Sequence, residues 1–299
     1  MDFSDQTTGI LFATIAALAW TVFSFAMKMA LRDASVLKAA AAVNGLNAAL
    51  VTAVSLLLIP PAAFVPENTG TVLNIVLAGG LHIGLARLFF YTAIQRLGPN
   101  RAMPIAMSYP IVTALSAAFM LGEAITGRIL AGLLLLLAGI TLIVRAEPAQ
   151  PDTVHSASPS WKAFGWASAG ITSLLWGVAA IYFKKAALGV HPLAASAYAL
   201  WFGFVVALLI ASWMDPRGAL SSISWRWLVF SACCQTVAVP FYIFAFTHTL
   251  AVRVTAIVSA QPLLAIPIGW LLMREAENIS PRLIAGAALV VFGTLLVIL

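Results

Sequence analysis

Apolar residues fall into ten long segments, separated by shorter stretches that contain charged residues, proline or polar clusters. The segments cover residues 8–30, 38–59, 71–95, 101–121, 127–144, 163–186, 192–213, 225–247, 252–273 and 282–299. Each is long enough to cross a bilayer as a helix, which takes about 20 residues. None alternates with a period of two, as a strand of a membrane barrel would. The pattern predicts an all-α integral membrane protein with ten transmembrane helices.

The composition supports lipid as the main solvent of the chain. Hydrophobic residues make up 62% and charged residues only 9% of the 299 positions, with a mean hydropathy of +1.02, which excludes a water-soluble globular protein. The net charge of +6 comes from basic residues scattered at segment ends, so we do not expect nucleic acid as a partner. The two cysteines, Cys233 and Cys234, are adjacent and cannot form a disulfide framework or a multi-cysteine metal site.

The chain consists of two related halves. Residues 147–160 are rich in proline, serine and threonine, as is typical of an exposed linker, and we therefore predict five-helix repeats over 1–146 and 161–299. Three residues of the first half recur in the second at a constant offset of 152: Arg101, Pro110 and Glu123 correspond to Arg253, Pro262 and Glu275. An odd number of helices per repeat inverts the second relative to the membrane. Such inverted repeats are typical of transporters.

Further short motifs recur in the same order in both halves. The first half contains Ala17-Leu18-Ala19-Trp20, Lys28, a stretch from Tyr91 to Gly98, Leu121-Gly122-Glu123, and Gly132 with Gly139. The second half repeats Trp176, Lys184, Gly286 and Gly293. The seven-residue spacing of each glycine pair places both on one helix face, where they permit close helix contact within the bundle or at a dimer seam.

These motifs resemble the EamA-type module of the drug/metabolite transporter superfamily. The resemblance implies a ten-helix carrier of small metabolites, in bacteria often an exporter of amino acids, whose cavity is lined by spans one, three, four, six, eight and nine. It also implies that both termini are cytoplasmic, whereas the Lys and Arg count near span ends places both outside.

All ten acidic residues lie at segment ends or in loops: Asp2, Asp5, Asp33, Glu67, Glu123, Glu147, Asp152, Asp215, Glu275 and Glu277. Span three, in contrast, carries His82 and Arg87 near its middle. A charged side chain at this depth is costly and marks a candidate functional site. Arg87 is a candidate to bind a substrate carboxylate, or alternatively to cap carbonyls of a broken helix or extend to the interface. His82 is a candidate for proton coupling, or alternatively for bonding a neighbouring helix.

Aromatic and amide side chains complete the candidate binding residues. Trp20 and Trp176 occupy related helices and are predicted to form walls of a cavity. Tyr91, one helical turn after Arg87, and Tyr242 are predicted to add a phenol each, and Gln261 to bind a ligand or to join helices. The full predicted substrate-binding set is Trp20, His82, Arg87, Tyr91, Trp176, Tyr242 and Gln261.

Prolines occur twice in each of spans four and nine, as Pro104 and Pro110 and as Pro262 and Pro267. Proline removes a backbone hydrogen bond from a helix, so we expect these helices to break and to act as gates, or simply to shape the bundle. Glu123 and Glu275 are expected to form interfacial ion pairs with Arg128, Arg274 or Arg282.

Together these features predict a secondary transporter that moves small amphipathic metabolites by alternating access. We expect it to export amino acids with aromatic or apolar side chains across a bacterial-type cytoplasmic (inner) membrane. The alternatives are an exchanger of phosphorylated sugars, nucleotide sugars or other organic anions, an intramembrane enzyme on lipid-linked substrates, and a receptor or scaffold. The sequence contains no nucleotide-binding or catalytic motif, so we expect no enzyme activity, catalytic residue, metal or cofactor. The expected partners are a small-molecule substrate and the lipid bilayer, with the chain as a monomer or homodimer.

Overall fold

The computed structural model describes residues 3–30, 35–97, 99–146, 159–216, 223–273 and 280–299. Within these ranges the chain is helical and contains no strand. The helices are α1 (Phe3–Ala30), α2 (Val36–Leu58), α3 (Thr69–Ala78), α4 (Ala86–Leu97), α5 (Pro99–Ala106), α6 (Tyr109–Leu121), α7 (Gly127–Ala146), α8 (Pro159–Gly189), α9 (Pro192–Met214), α10 (Trp225–His248), α11 (Ala251–Ser259), α12 (Gln261–Met273) and α13 (Pro281–Ile298).

The described residues contain ten helical stretches that are long and apolar enough to span a membrane, which confirms the predicted number. These spans are Ser4–Met27, Leu37–Leu58, Thr69–Ile94, Arg101–Leu121, Gly127–Ala146, Pro159–Gly189, Pro192–Met214, Trp225–His248, Ala251–Ile268 and Pro281–Ile298. Large apolar side chains such as Leu57 and Phe119 are 84% and 89% exposed. Exposure of that extent suits a surface solvated by lipid tails rather than by water.

Three spans depart from a continuous α-helix. Span three changes to a π-helix at Gly79–Leu85. Span four is interrupted between Ala106 and Tyr109, and span nine is interrupted at Ala260. Each interruption is followed by a helix whose first turn contains a proline, Pro110 in α6 and Pro262 in α12. Proline is favoured there because the first-turn amides of a helix have no internal partner.

The helices form two compact units. Unit 1 comprises Met1–Leu85 and Ala179–Thr249, and unit 2 comprises Ala86–Val178 and Leu250–Leu299. Each unit therefore contains residues from both halves of the chain. The predicted linker, 147–160, lies outside the described residues except for its last two positions, and so do Arg274, Glu275 and Glu277.

Unit 1 is held together mainly by the pairs α1 with α10 and α2 with α9, and the π-helix packs on α9. Glycines make the last contact possible. A Cβ atom on Gly79 would lie 2.2 Å from the carbonyl oxygen of Ala199, and one on Gly203 would lie 2.5 Å from the side chain of Ile83. No larger residue fits at either position without moving the backbone or the facing side chain.

Unit 2 contains an equally close contact between α7 and α13. A Cβ atom on Gly132 would lie 2.7 Å from the carbonyl oxygen of Gly293, and one on Gly139 would lie 2.7 Å from that of Gly286. The repeated glycine pairs thus face each other within the chain. Of the two roles expected for them, the structure shows the contact within the bundle.

Candidate functional site

Four aromatic side chains of unit 1 meet around a fifth, Tyr242, and we call this group the aromatic cluster: Trp20, His82, Phe183, Tyr242 and Phe246. The Tyr242 ring centroid lies 5.0 Å from that of Trp20, 5.9 Å from His82 and from Phe183, and 4.6 Å from Phe246. Most of these pairs are edge-to-face, the arrangement that aromatic quadrupoles favour. The cluster brings helices α1, α8 and α10 and the π-helix to one point inside the membrane-spanning part of unit 1.

The hydroxyl group of Tyr242 is the most unusual polar atom of the cluster. Tyr242 is only 1% exposed, and its phenol oxygen has no hydrogen-bond partner among the described residues. Buried phenols normally find a partner, because leaving one unsatisfied costs about 1–3 kcal/mol. A fold that keeps such a group at an aromatic junction retains it at a cost to stability, as is common at functional sites.

The π-helix explains how His82 joins the cluster. Its wider turn inserts an additional residue into span three, which re-aims the side chains that follow. His82 lies at the centre of this seven-residue segment and stacks on Trp20 with a centroid distance of 6.3 Å. The interruption was not predicted from the sequence. Gly79, Gly80 and Gly84 were the available signal, because closely spaced glycines weaken a regular helix.

A second group lies in unit 2 and consists of Arg87, Phe90, Tyr91, Tyr109 and Trp176. Arg87 on α4 is 8% exposed, and Tyr91, one turn later, is close enough to interact with it electrostatically. The ring of Trp176 lies 5.1 Å from Phe90 and 5.8 Å from Tyr109, measured between centroids. This group combines a buried cation with aromatic walls, a pairing suited to an anionic group attached to an apolar body.

The break in span four is braced against α8 beside Trp176. Ser108, in the break itself, hydrogen-bonds Ser173 with an oxygen–oxygen distance of 2.9 Å. Thr113 on α6 donates to the carbonyl of Gly177 at 3.3 Å, and a Cβ atom on Gly177 would lie 2.5 Å from the side chain of Val112. The break is therefore a packed feature of unit 2, which holds Tyr109 against Trp176.

The four predicted helix-breaking prolines have different surroundings. Pro110 and Pro262 are buried and each lies next to an interruption, whereas Pro104 lies inside α5 and Pro267 is exposed inside α12, with helix on both sides. Gln261 begins α12 and is half-buried. Their action as gates stays a prediction.

At the opposite end of span four, Glu123 contacts the amino terminus of α11, and its expected ion pairs stay a prediction. Gly122, with a φ of +69°, ends α6 in a left-handed turn that glycine adopts without strain. The following Glu123 carboxylate accepts the Ala251 amide proton at 3.1 and 3.3 Å, at the amino terminus of α11. Arg253 lies close enough to both Arg128 and Glu123 to interact with each of them electrostatically.

The contacts divide the seven predicted binding residues between the units. Trp20, His82 and Tyr242 belong to the aromatic cluster of unit 1, whereas Arg87, Tyr91, Trp176 and Gln261 belong to unit 2. Residues not predicted from the sequence also contribute to the two groups, Phe183 and Phe246 to the first and Phe90 and Tyr109 to the second, and Ser108 and Ser173 brace the adjacent break. The four-residue spacing of Tyr242 and Phe246, which places them on one helix face, was the available signal for part of this set.

Comparison with known proteins gives three findings. The model of the EamA-like transporter family matches residues 7–145 and again residues 163–299. A crystal structure described only as that of a protein is similar to the chain with a TM-score of 0.76 and 19% sequence identity, over 98% of this chain and 97% of that chain. That likeness concerns the fold alone. No curated protein matches the sequence.

Proposed function

Because this chain belongs to the EamA-like transporter family, we propose that it is a secondary transporter that exports amino acids with aromatic or apolar side chains by alternating access. Membership in the family and the ten apolar helices establish a multi-pass membrane transporter. The substrate, the direction of transport and a bacterial-type inner membrane as its location are parts of the proposal.

The aromatic cluster is the observation that carries the choice of substrate. Four of its members, Trp20, Phe183, Tyr242 and Phe246, are at most 8% exposed, so the aromatic group is shielded from water. Aromatic surfaces bind apolar and aromatic side chains, and they also attract an ammonium group through cation–π contact. The Tyr242 hydroxyl adds one hydrogen-bonding group. A free amino acid with a large side chain offers both kinds of partner.

Arg87 supports a carboxylate-bearing substrate independently. It is a permanent cation in span three, 8% exposed, and its planar guanidinium presents paired donors that match a carboxylate. Transport of anionic or zwitterionic metabolites gives a reason to keep this charge inside the membrane, where insertion costs about 2.5–3.5 kcal/mol. We propose Arg87 as a substrate ligand on the basis of its neighbours within unit 2.

Two kinds of feature fit a carrier driven by a gradient. The sequence contains no phosphate-binding loop for ATP hydrolysis. Interrupted helices in both sequence halves, at Ser108 and at Ala260, are typical of carriers whose repeats move around a binding site.

Flux from reconstituted vesicles tests the proposal. Proteoliposomes loaded with radiolabelled phenylalanine or leucine should release label faster than protein-free liposomes, and Trp20→Ala should lower this flux at least tenfold. Trp213→Ala is the matched control, because Trp213 is 83% exposed and lies outside the aromatic cluster. If no amino acid is transported while folding is intact, the proposed substrate class is wrong.

A second candidate function is exchange of phosphorylated sugars, nucleotide sugars or other organic anions, which the buried charge of Arg87 favours. A direct comparison separates the two. The amino-acid proposal predicts counterflow of phenylalanine but not of a hexose phosphate through the same vesicles. The reverse result would replace the first proposal with the second.

A further inference from the structure

Unit 2 contains a cavity of about 350 Å³, and neither Arg87 nor Trp176 is among the residues that line it. It opens between α5, α7 and α8, beside the break in span four. The residues that decide its chemistry are Arg101, Ser108, Leu137, Thr141, Arg145 and Trp166.

The cavity is positively charged. Arg101 and Arg145 both contribute to its wall, and the described lining contains no Asp or Glu. The hydroxyl groups of Ser108 and Thr141 donate to the carbonyls of Ile105 and Leu137 at 2.6 and 2.8 Å. The two guanidinium groups are therefore the main donors that the wall offers to a ligand. This combination selects an anion rather than a neutral polar molecule.

The charged wall lies at a membrane interface. Arg101 begins span four and Arg145 is the penultimate residue of span five, so the hairpin of these spans brings both to the same face. Span six begins beside them with Trp161, Phe164 and Trp166, which are 40%, 47% and 45% exposed. Partly exposed aromatic residues at span ends are typical of the headgroup region of a bilayer.

A third arginine strengthens this assignment of depth. The Arg96 guanidinium lies 3.9 Å from the ring centroid of Trp161 and 4.5 Å from that of Phe164. An arginine that covers interfacial aromatic rings adds positive potential at the level of lipid phosphates. The apolar part of the cavity wall, including Leu137, suits the glycerol and upper acyl chain of a lipid.

We propose that this cavity binds the phosphodiester headgroup of an anionic phospholipid, with Arg101 and Arg145 as the phosphate ligands. The ligand is a component of the bilayer and not a transported solute. Bound there, the lipid contacts the chain at Pro104 and Ser108, immediately before and within the break of span four.

Native mass spectrometry of the purified, delipidated full-length protein tests the proposal with phosphatidylglycerol and phosphatidylcholine of identical acyl chains. We expect tighter binding of phosphatidylglycerol, weakened about fivefold by R101Q or R145Q and about 25-fold by both, since each cation contributes about one such factor at an anionic surface. R128Q is the matched control, because Arg128 is also exposed and lies at the other end of the same helix, α7. The control should bind phosphatidylglycerol like the wild type.

A charge-preserving variant protects the test against misfolding. The double variant R101K/R145K should retain most of the preference for phosphatidylglycerol. Its lipid binding is compared with that of R101Q/R145Q between preparations of equal thermal stability. Equal binding of both lipids by the wild type, or an unchanged preference in R101Q/R145Q, would overturn the proposal. Displacement of phosphatidylglycerol by millimolar inorganic phosphate would show a site for soluble anions and would equally overturn it.

Discussion

Replacing Tyr242 by phenylalanine should make the protein more stable and a poorer transporter. The Tyr242 ring packs against Trp20 and Phe246, and phenylalanine preserves those contacts. Only the hydroxyl is lost, and it is buried without a hydrogen-bond partner among the described residues. The substitution therefore relieves an unsatisfied polar group while removing a hydrogen-bonding group from the proposed substrate surface.

The expected gain in unfolding free energy is about 1–3 kcal/mol, the usual cost of a buried unsatisfied polar group. At about 2 °C per kcal/mol, this corresponds to a rise in Tm of about 2–6 °C. Tyr198 supplies the matched control, because its hydroxyl donates to the carbonyl of Phe64 at 2.9 Å. Tyr198→Phe should cost about 1 kcal/mol and lower Tm by about 2 °C.

Thermal unfolding of both variants in the same detergent, followed by tryptophan fluorescence, measures the two shifts. Amino-acid efflux from proteoliposomes measures function, and Tyr242→Phe should slow it about two- to tenfold, the effect of one hydrogen bond. The reasoning fails if Tyr242→Phe lowers Tm as Tyr198→Phe does, since its hydroxyl would then have a stabilising partner. A faster efflux would instead remove Tyr242 from the proposed substrate surface.

Three further predictions concern unit 2. Gly293→Ala places a Cβ atom 2.4 Å from the backbone nitrogen of Leu136, about 1 Å inside ordinary contact, and should cost about 1–3 kcal/mol by thermal unfolding. Gly170→Ala, with no atom within 4 Å of the added Cβ, should leave stability unchanged or raise it by up to about 1 kcal/mol; equal losses would contradict the packing argument. Glu123→Ala should lower the unfolding free energy by about 0.5–2 kcal/mol through loss of the α11 cap, and Glu123→Gln by less, because an amide oxygen still accepts the Ala251 proton. Arg87→Ala should abolish phenylalanine efflux and Arg87→Lys should retain part of it, whereas unchanged transport in both would exclude Arg87 as the carboxylate ligand.

Much of the architecture was predictable because lipid imposes a simple requirement on sequence. Each span must bury its backbone groups in a helix and present apolar side chains, so the ten spans could be counted directly. Prolines at equivalent positions, Pro110 and Pro262, indicated the two interruptions that the structure shows. The glycine spacing likewise indicated a close helix contact, which α7 and α13 make.

The grouping of the site residues could not be predicted in the same way. His82 contacts Trp20 and Tyr242 from within the π-helical segment Gly79–Leu85, which packs against α9, and neither the segment nor its packing can be derived from the hydrophobic pattern alone. Phe183 and Phe246 are ordinary apolar residues in the sequence, and only their distances to Tyr242 mark them. Glu123 was expected to pair with arginines, and the structure shows a backbone amide, that of Ala251, as a partner that carries no sequence signal.

The sequence by itself determined the solvent, the number of spans, the duplication and the family, because each depends on composition or on order along the chain. Only the tertiary structure decided which side chains meet. The contacts of Tyr242 with Trp20 and His82 join residues more than 150 positions apart, and their formation depends on how helices pack in three dimensions. Among the described residues, the same packing leaves the Tyr242 hydroxyl without a hydrogen-bond partner and opens the cavity between Arg101 and Arg145.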